Sequence, residues 1–172
     1  MLEGPIRQIG YIVRDLDAAM QSWLALGIGP WFTMRNLQQR DCRYRGELSE
    51  PTTSIAFANS GPMQIELIQQ HDDTPSIYRE FLDAGGEGYN QLAWWATDFD
   101  TVMEKARAAE WPVVWSGGTR GTVRFAYFAL DPEISTVIEV MELNDASQGL
   151  ADLVASAAEQ WDGITDPIRS LT

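Results

Sequence analysis

Two glutamates occupy matching positions in two similar short segments of the sequence. Glu66 lies in QIELIQ, residues 64–69, and Glu139 lies in VIEVME, residues 137–142. Each is flanked by aliphatic residues that are typical of a buried strand. A carboxylate buried in such a strand without a partner costs several kcal/mol. Because the arrangement occurs twice, it favours a shared site in which one carboxyl acts as a base and the other as an acid.

Two glutamines belong to the same pattern. Residues 8–20 read QIGYIVRDLDAAM and residues 91–103 read QLAWWATDFDTVM, so Gln8 and Gln91 open two similar segments. Side chains alternate across a strand, and the following helix should cover the more apolar face. Both glutamines, and both glutamates by the same rule, are therefore expected on the opposite, concave face. The sequence predicts a cavity lined by these four side chains.

Two further residues are candidates for contact with a ligand. Trp95 shares a strand face with Gln91, and it would supply an aromatic wall. Arg124 is a candidate partner for a substrate carboxylate or phosphate. The seven tryptophans of the chain favour a ligand that is a bulky, aromatic or hydrophobic small molecule.

The repeated segments organise the chain into two modules, each with the pattern β-α-β-β-β and an aspartate at the start of its helix. Module 1 spans about 6–69, a linker spans 70–86 and module 2 spans about 87–143. Together they form a single domain, residues 1–143. We predict an α+β fold in which the paired modules form a concave mixed sheet around one cavity.

The remaining residues, 144–172, are predicted to form a C-terminal helical extension with a helix over about 147–161. Apolar residues recur there at helical spacing, so one face should be buried, either on the domain or on a second subunit in a homodimer. The residues expected on that face are Leu150, Leu153, Val154, Ala157 and Trp161.

The composition excludes several classes of function. The 172 residues carry 12 Lys and Arg against 25 Asp and Glu, a net charge of −13, which excludes a general affinity for nucleic acids or anionic membranes. The single Cys42 cannot form an internal disulfide, and no apolar run approaches a membrane span, so we expect a cytoplasmic protein. The single His71 excludes metal sites that need two histidines from one chain.

The order of these motifs resembles the vicinal oxygen chelate superfamily of glyoxalase I, methylmalonyl-CoA epimerase, extradiol dioxygenases and bleomycin-resistance proteins. The resemblance covers about residues 6–143. It is carried by the opening strand, by IELIQ and by VIEVME, and the stretch 66–95 is similar to the glyoxalase I and epimerase-like branch. The resemblance implies the paired-module fold and a base at Glu139.

The resemblance also implies where a divalent metal would bind. Its ligands would be Gln8, Glu66, Gln91 and Glu139, although family members most often have His at the Gln91 position and commonly at the Gln8 position. A set made only of oxygen ligands suits Mg²⁺ or Mn²⁺ better than Zn²⁺ or Ni²⁺. A metal-free site is the alternative, so the sequence assigns no cofactor.

Two functions follow from these observations. The first is an isomerase, epimerase or lyase that transfers a proton next to a carbonyl, with Glu139 and Glu66 as the catalytic residues. The alternative is a non-catalytic protein that sequesters a ligand, as bleomycin-resistance proteins do. The two carboxylates favour the enzyme, whereas the missing histidines favour the binding protein. An extradiol dioxygenase would need two His ligands that this chain lacks.

Overall fold

The computed structural model describes residues 2–130 and 137–171, and it confirms the predicted α+β fold. The strands are β1 (Gln8–Ile12), β2 (Trp31–Gln38), β3 (Arg43–Tyr44), β4 (Glu47–Leu48), β5 (Thr52–Ser60), β6 (Met63–Gln70), β7 (Gly88–Ala96), β8 (Val113–Gly117), β9 (Phe125–Phe128), β10 (Val137–Glu142) and β11 (Ile168–Ser170). The helices are α1 (Leu16–Leu24), α2 (Ile77–Asp83), α3 (Phe99–Ala108) and α4 (Asp145–Gln160). No helix in the described part of the chain is long and apolar enough to cross a membrane.

The strands that carry the four candidate polar residues are consecutive neighbours in the middle of the sheet. β1 pairs in parallel with β6 and antiparallel with β7, and β7 pairs in parallel with β10. The full strand order is β11-β2-β5-β6-β1-β7-β10-β9-β8-β3-β4. The two predicted modules therefore meet at the β1–β7 pair.

The connection between β2 and β3 shows that the sheet is strongly curved. Only residues 39–42 separate these strands, yet β2 lies near one end of the strand order and β3 near the other. Because each residue spans at most about 3.6 Å, the two ends of the sheet must approach each other. The short β3–β4 hairpin completes this approach by pairing with β8. The result is a concave inner face.

Helices α1 and α3 pack on the outer face, where the strand alternation had placed them. Asp15 caps α1 by accepting a hydrogen bond from the backbone of Ala18, and Asp98 caps α3 by accepting one from Thr101. In α1, Leu16 and Met20 are fully buried in a cluster with residues of β5 and β6. This packing leaves the opposite face of the central strands for polar side chains.

The C-terminal segment packs on the same chain and contributes more than a helix. Helix α4 lies against β5, with Val154 buried beside Phe32 and Phe57, and β11 adds a parallel strand beside β2. The predicted buried face is correct at Val154 but wrong at Leu153, which is 46% exposed. The fully buried positions follow the spacing Ser147, Ala151, Val154, which turns Leu153 toward solvent.

Candidate active site

An apolar cavity of about 380 Å³ lies between the concave face of the sheet and helix α4. Among the described residues, none that lines it is Arg or Lys. The apolar lining residues are Met34, Ile55, Phe57, Trp95, Val123, Phe125, Met141, Ala146, Leu150 and Ala151. The polar ones are Gln8, Gln39, Gln64, Glu66, Tyr78, Tyr127, Glu139 and Ser147.

Gln91 joins the two glutamates. Its amide nitrogen Nε2 lies 3.1 Å from Oε2 of Glu66 and 3.2 Å from Oε2 of Glu139, and it donates to both. The two carboxyls are therefore within about 6 Å of each other, close enough for like charges to disfavour ionisation. Gly10 makes this arrangement possible, because a Cβ there would lie 2.2 Å from Cδ of Gln91.

Burial and mutual repulsion control the protonation of this pair. Glu66 is 8% and Glu139 is 5% exposed, and neither forms an ion pair within the described residues. Burial raises the pKa of Glu66 well above its ordinary value, and the nearby Glu139 raises it further. Burial also raises the pKa of Glu139, against the lowering effect of hydrogen bonds from Gln91 and Tyr127. The pair therefore holds a proton more readily than two free carboxyls, which provides an acid and a base together.

Gln8 and Trp95 both line the cavity, and each has one buried polar atom without a hydrogen-bond partner. The Nε2 of Gln8 donates to Oε1 of Gln64 at 2.8 Å, whereas the Oε1 of Gln8 has no partner. The Nε1 of Trp95 is likewise unpaired, and the guanidinium of Arg7 lies 4.5 Å from the centre of the Trp95 ring. These two side chains thus offer a ligand one unpaired acceptor and one unpaired donor.

The structure places Arg124 outside this cavity, so we correct its assignment as a substrate-binding residue. Its neighbours Val123 and Phe125 line the cavity, whereas Arg124, which immediately precedes β9, does not. There it donates to Glu142 and Asp100, both at 2.7 Å, and it stacks on Phe99. These contacts hold its guanidinium against two carboxylates outside the cavity.

Two tyrosines of the cavity are not predicted from the sequence. Tyr127 faces Glu139 directly across the β10–β9 pair, and its hydroxyl accepts a hydrogen bond from Nε2 of Gln91 at 2.7 Å. Tyr78 reaches the same cavity from α2, in the linker. The alternation of residues 125–128 could have indicated Tyr127, but only if the register of β9 against β10 had been known. Tyr78 has no counterpart in module 2, so the repeat gave no signal for it.

The arrangement of Gln8, Glu66, Gln91 and Glu139 does not fit a divalent metal centre. Gln91 presents its amide nitrogen to both carboxylates, and the amide nitrogen of Gln8 is bound to Gln64. A metal would need the amide oxygens in those directions. Within residues 2–130 and 137–171, no cluster of three His, Cys, Asp or Glu side chains could hold a metal.

Comparison with protein-family models identifies the fold family. A model described as the Glyoxalase/Bleomycin resistance protein/Dioxygenase superfamily matches residues 7–128. The chain belongs to this superfamily. The matched range contains Gln8, Glu66 and Gln91, whereas Glu139 and α4 lie beyond it. A comparison with curated protein sequences finds no match.

Solved structures of this superfamily share the fold at low sequence identity. A hypothetical protein from Bacillus halodurans has 18% identity and a TM-score of 0.61, with 82% of this chain and 95% of that chain covered. A Streptomyces coelicolor methylmalonyl-CoA epimerase variant has 18% identity, the same coverages and a TM-score of 0.57. The Mycobacterium tuberculosis methylmalonyl-CoA epimerase has 20% identity and a TM-score of 0.54, with 87% of this chain and 97% of that chain covered. These neighbours include the epimerase branch that the motifs resemble.

Proposed function

We propose that this protein is an isomerase or epimerase that transfers a proton at the carbon next to a carbonyl. One observation carries the proposal. Two buried carboxyls, Glu66 and Glu139, face one apolar cavity with no cationic side chain in its lining, and Gln91 holds both. A buried carboxyl pair with raised pKa values contains both a base and an acid near neutral pH.

In the proposed reaction, Glu139 takes the proton and Glu66 is the second proton carrier. The ionised carboxylate of Glu139 removes a proton from the α-carbon, so a C–H bond breaks and an O–H bond forms. The electron pair moves into the carbon–carbon bond, and the carbonyl becomes an enolate. Return of a proton from Glu66 to the other face inverts the carbon, and return to a different carbon isomerises the substrate. A lyase would share the first of these steps.

The cavity supports a neutral, bulky and aromatic or hydrophobic substrate. Its volume of about 380 Å³ is within the range of small-molecule sites, and its walls are mainly apolar. The Streptomyces coelicolor epimerase variant was solved with 2-nitronate-propionyl-CoA, a much larger anionic compound. The net charge of −13 and a lining without Arg or Lys disfavour such an anion here. We therefore expect a neutral ketone, aldehyde or ester.

A second candidate function is the sequestering of a ligand without chemistry. The hydrogen bonds of Gln91 satisfy both carboxyls within the protein, as a purely structural pair would require. A binding protein of this kind would need only the apolar walls of the cavity. The two candidates differ in one measurable property, which is proton exchange at the carbon next to the carbonyl.

Deuterium incorporation followed by NMR tests the proposal. Aromatic ketones, aldehydes and esters with α-hydrogens would be incubated with the protein in D₂O. We expect the wild type to catalyse exchange for at least one of them and Glu139→Gln to reduce the rate by about 10²–10⁴-fold, the usual contribution of a positioned base. Ligand affinity should change little, because the amide has nearly the same volume.

Glu142→Gln is the matched control, since Glu142 lies on the same strand but outside the cavity lining. It should exchange at the wild-type rate. A Glu139→Gln variant that also keeps that rate would remove Glu139 from the mechanism. Wild-type protein that binds the compounds and exchanges none of them would establish the sequestering function instead.

A further inference from the structure

The hydroxyl of Tyr127 lies where a reacting carbonyl would need a hydrogen-bond donor. Tyr127 is the cross-strand partner of Glu139, so both side chains project from the same face of the sheet into the cavity. Its hydroxyl also hydrogen-bonds to the carboxyl of Glu139. An α-carbon in contact with Glu139 can therefore place its carbonyl oxygen within reach of this hydroxyl.

A small set of buried polar groups holds the hydroxyl of Tyr127 in place. The indole N–H of Trp115 can only donate, and it donates to the hydroxyl oxygen of Tyr78 at 3.1 Å. The hydroxyls of Tyr78 and Tyr127 hydrogen-bond to each other. The oxygen of Tyr127 accepts from Gln91, so its own proton is available to Tyr78, to Glu139 or to a ligand in the cavity.

We propose that Tyr127 is a catalytic residue that donates a hydrogen bond to the enolate oxygen, and that Tyr78 and Trp115 position it. The proposal rests on the proton-transfer function proposed above. As Glu139 gains the proton from carbon, its oxygen becomes a weaker acceptor, and the Tyr127 O–H turns to the developing oxyanion. No proton leaves Tyr127 in this step; it supplies a hydrogen bond that is strongest in the transition state.

Gln91 and Gln8 are less suited to this task. The two amide hydrogens of Gln91 are already shared among three acceptors, and the amide nitrogen of Gln8 donates to Gln64. The cavity lining contains no Arg or Lys. Burial raises the pKa of Tyr127 and of Tyr78, so both hydroxyls stay protonated and able to donate. Tyr127 thus supplies the electrophilic contact that a metal would supply elsewhere.

The first test is the rate of exchange in Tyr127→Phe. We expect kcat to fall by about 10²–10³-fold with KM nearly unchanged, as for other lost oxyanion donors. Tyr78→Phe should cost less, about 3–10-fold, because it acts only through Tyr127. Tyr11→Phe is the matched control, since Tyr11 packs beside Trp23 in the cluster under α1 and should leave the rate unchanged.

The second test needs no turnover and can be read in the wild type alone. Acetophenone labelled with ¹³C at its carbonyl would be bound to the protein, and its C=O stretch would be measured by difference infrared spectroscopy. A donor at Tyr127 should lower the stretching frequency relative to that in hexane, and Tyr127→Phe should restore most of the hexane value. A hexane-like frequency in the wild type would refute the proposal even if the variant failed to fold.

The two tests separate this inference from the proposed function. Exchange that persists at the wild-type rate in folded Tyr127→Phe, with an unchanged carbonyl frequency, overturns the role of Tyr127 and leaves the proton-transfer function standing. A carbonyl shift that depends on Tyr127 in a protein without exchange activity supports the donor and overturns the proton-transfer function.

Discussion

Glu139 and Glu142 lie three residues apart on β10, and their surroundings are opposite. Glu139 faces the cavity, where its contacts are the neutral groups of Gln91 and Tyr127. Glu142 faces the other side and accepts two charge-assisted hydrogen bonds from Arg124, at 2.9 and 2.7 Å. One carboxyl is thus held by an amide and the other by a guanidinium.

The difference appears in the acidity of the two groups. Burial raises the pKa of Glu139, whereas hydrogen bonds from Arg124 lower the pKa of Glu142. A carboxyl with a cationic partner is fixed in its ionised form and stabilises the fold, while one without such a partner can exchange protons near neutral pH. The presence or absence of a counter-charge thus gives the two glutamates opposite pKa shifts.

Among changes around the two carboxyls that Gln91 joins, Gly10→Ala should have the largest effect on stability. Because the added methyl would lie 2.2 Å from Cδ of Gln91, that side chain must leave its place between the two carboxyls. We expect the free energy of unfolding to fall by about 3 kcal/mol. Urea unfolding monitored by tryptophan fluorescence measures it.

Gly149→Ala is the matched control. Gly149 lies on the exposed side of α4, and nothing lies within 4 Å of its added methyl, so this change should be neutral or stabilise by about 0.5–1 kcal/mol. If Gly10→Ala proved as stable as the control, Gln91 would have another position available, and its bridging role would be wrong.

The pH dependence of stability should have opposite signs for the two glutamates. The pKa of Glu139 is higher in the folded state than its ordinary value of 4.5, so folding favours the protonated carboxyl. The free energy of unfolding therefore falls as the pH rises above 4.5. Glu139→Gln should therefore become more stable than the wild type by roughly 1–3 kcal/mol between pH 5 and pH 8. Urea titrations at pH 5, 6, 7 and 8 provide the comparison.

Glu142→Gln should behave in the reverse way, because the lowered pKa of Glu142 contributes stability above the unfolded value of 4.5. This variant should be less stable than the wild type at pH 6–8 by roughly 1 kcal/mol, and the difference should disappear as pH falls through the lowered pKa of Glu142. Parallel pH profiles for the two variants would mean that Arg124 and Gln91 hold their carboxyls in equivalent ways.

The smallest expected effect is that of metal removal. Since amide N–H groups contact both carboxylates of the pair, EDTA should leave the exchange rate and the thermal midpoint unchanged. Elemental analysis of freshly purified protein should show no stoichiometric Zn²⁺ or Ni²⁺. One tightly bound Zn²⁺ per chain, with activity lost on its removal, would contradict the metal-free site.

Strand periodicity and the repeat predicted much of the inner face of the sheet. Gln8, Glu66 and Glu139 line the cavity, and Gln91 contacts two of them, because side-chain alternation depends only on local spacing. The same rule applied to residues 123–125 would have directed Arg124 outward. Its charge made it a candidate, and its partners Asp100 and Glu142 cannot be recognised from their spacing in the sequence.

The remaining features depend on long-range geometry. To place Tyr127 in the cavity, one must know the register of β9 on β10. To place Tyr78 there, one must know where α2 packs on β6 and β1. The apolar spacing predicts helix α4 itself. Its position over the cavity depends on which face is buried, and that face contains Ala151 and Val154 but not Leu153. None of these can be obtained from periodicity, because each is a contact between segments far apart in the chain.

The position of the site on β6, β1, β7 and β10 has a consequence for how it forms and opens. Each strand contributes one of the residues Gln8, Glu66, Gln91 and Glu139, and the four strands are hydrogen-bonded in series at the centre of the sheet. Such a site has high contact order, so it can assemble only when the two halves of the sheet have joined. It also has no small unit that could open alone, and a ligand that binds it stabilises the folded state of the whole chain.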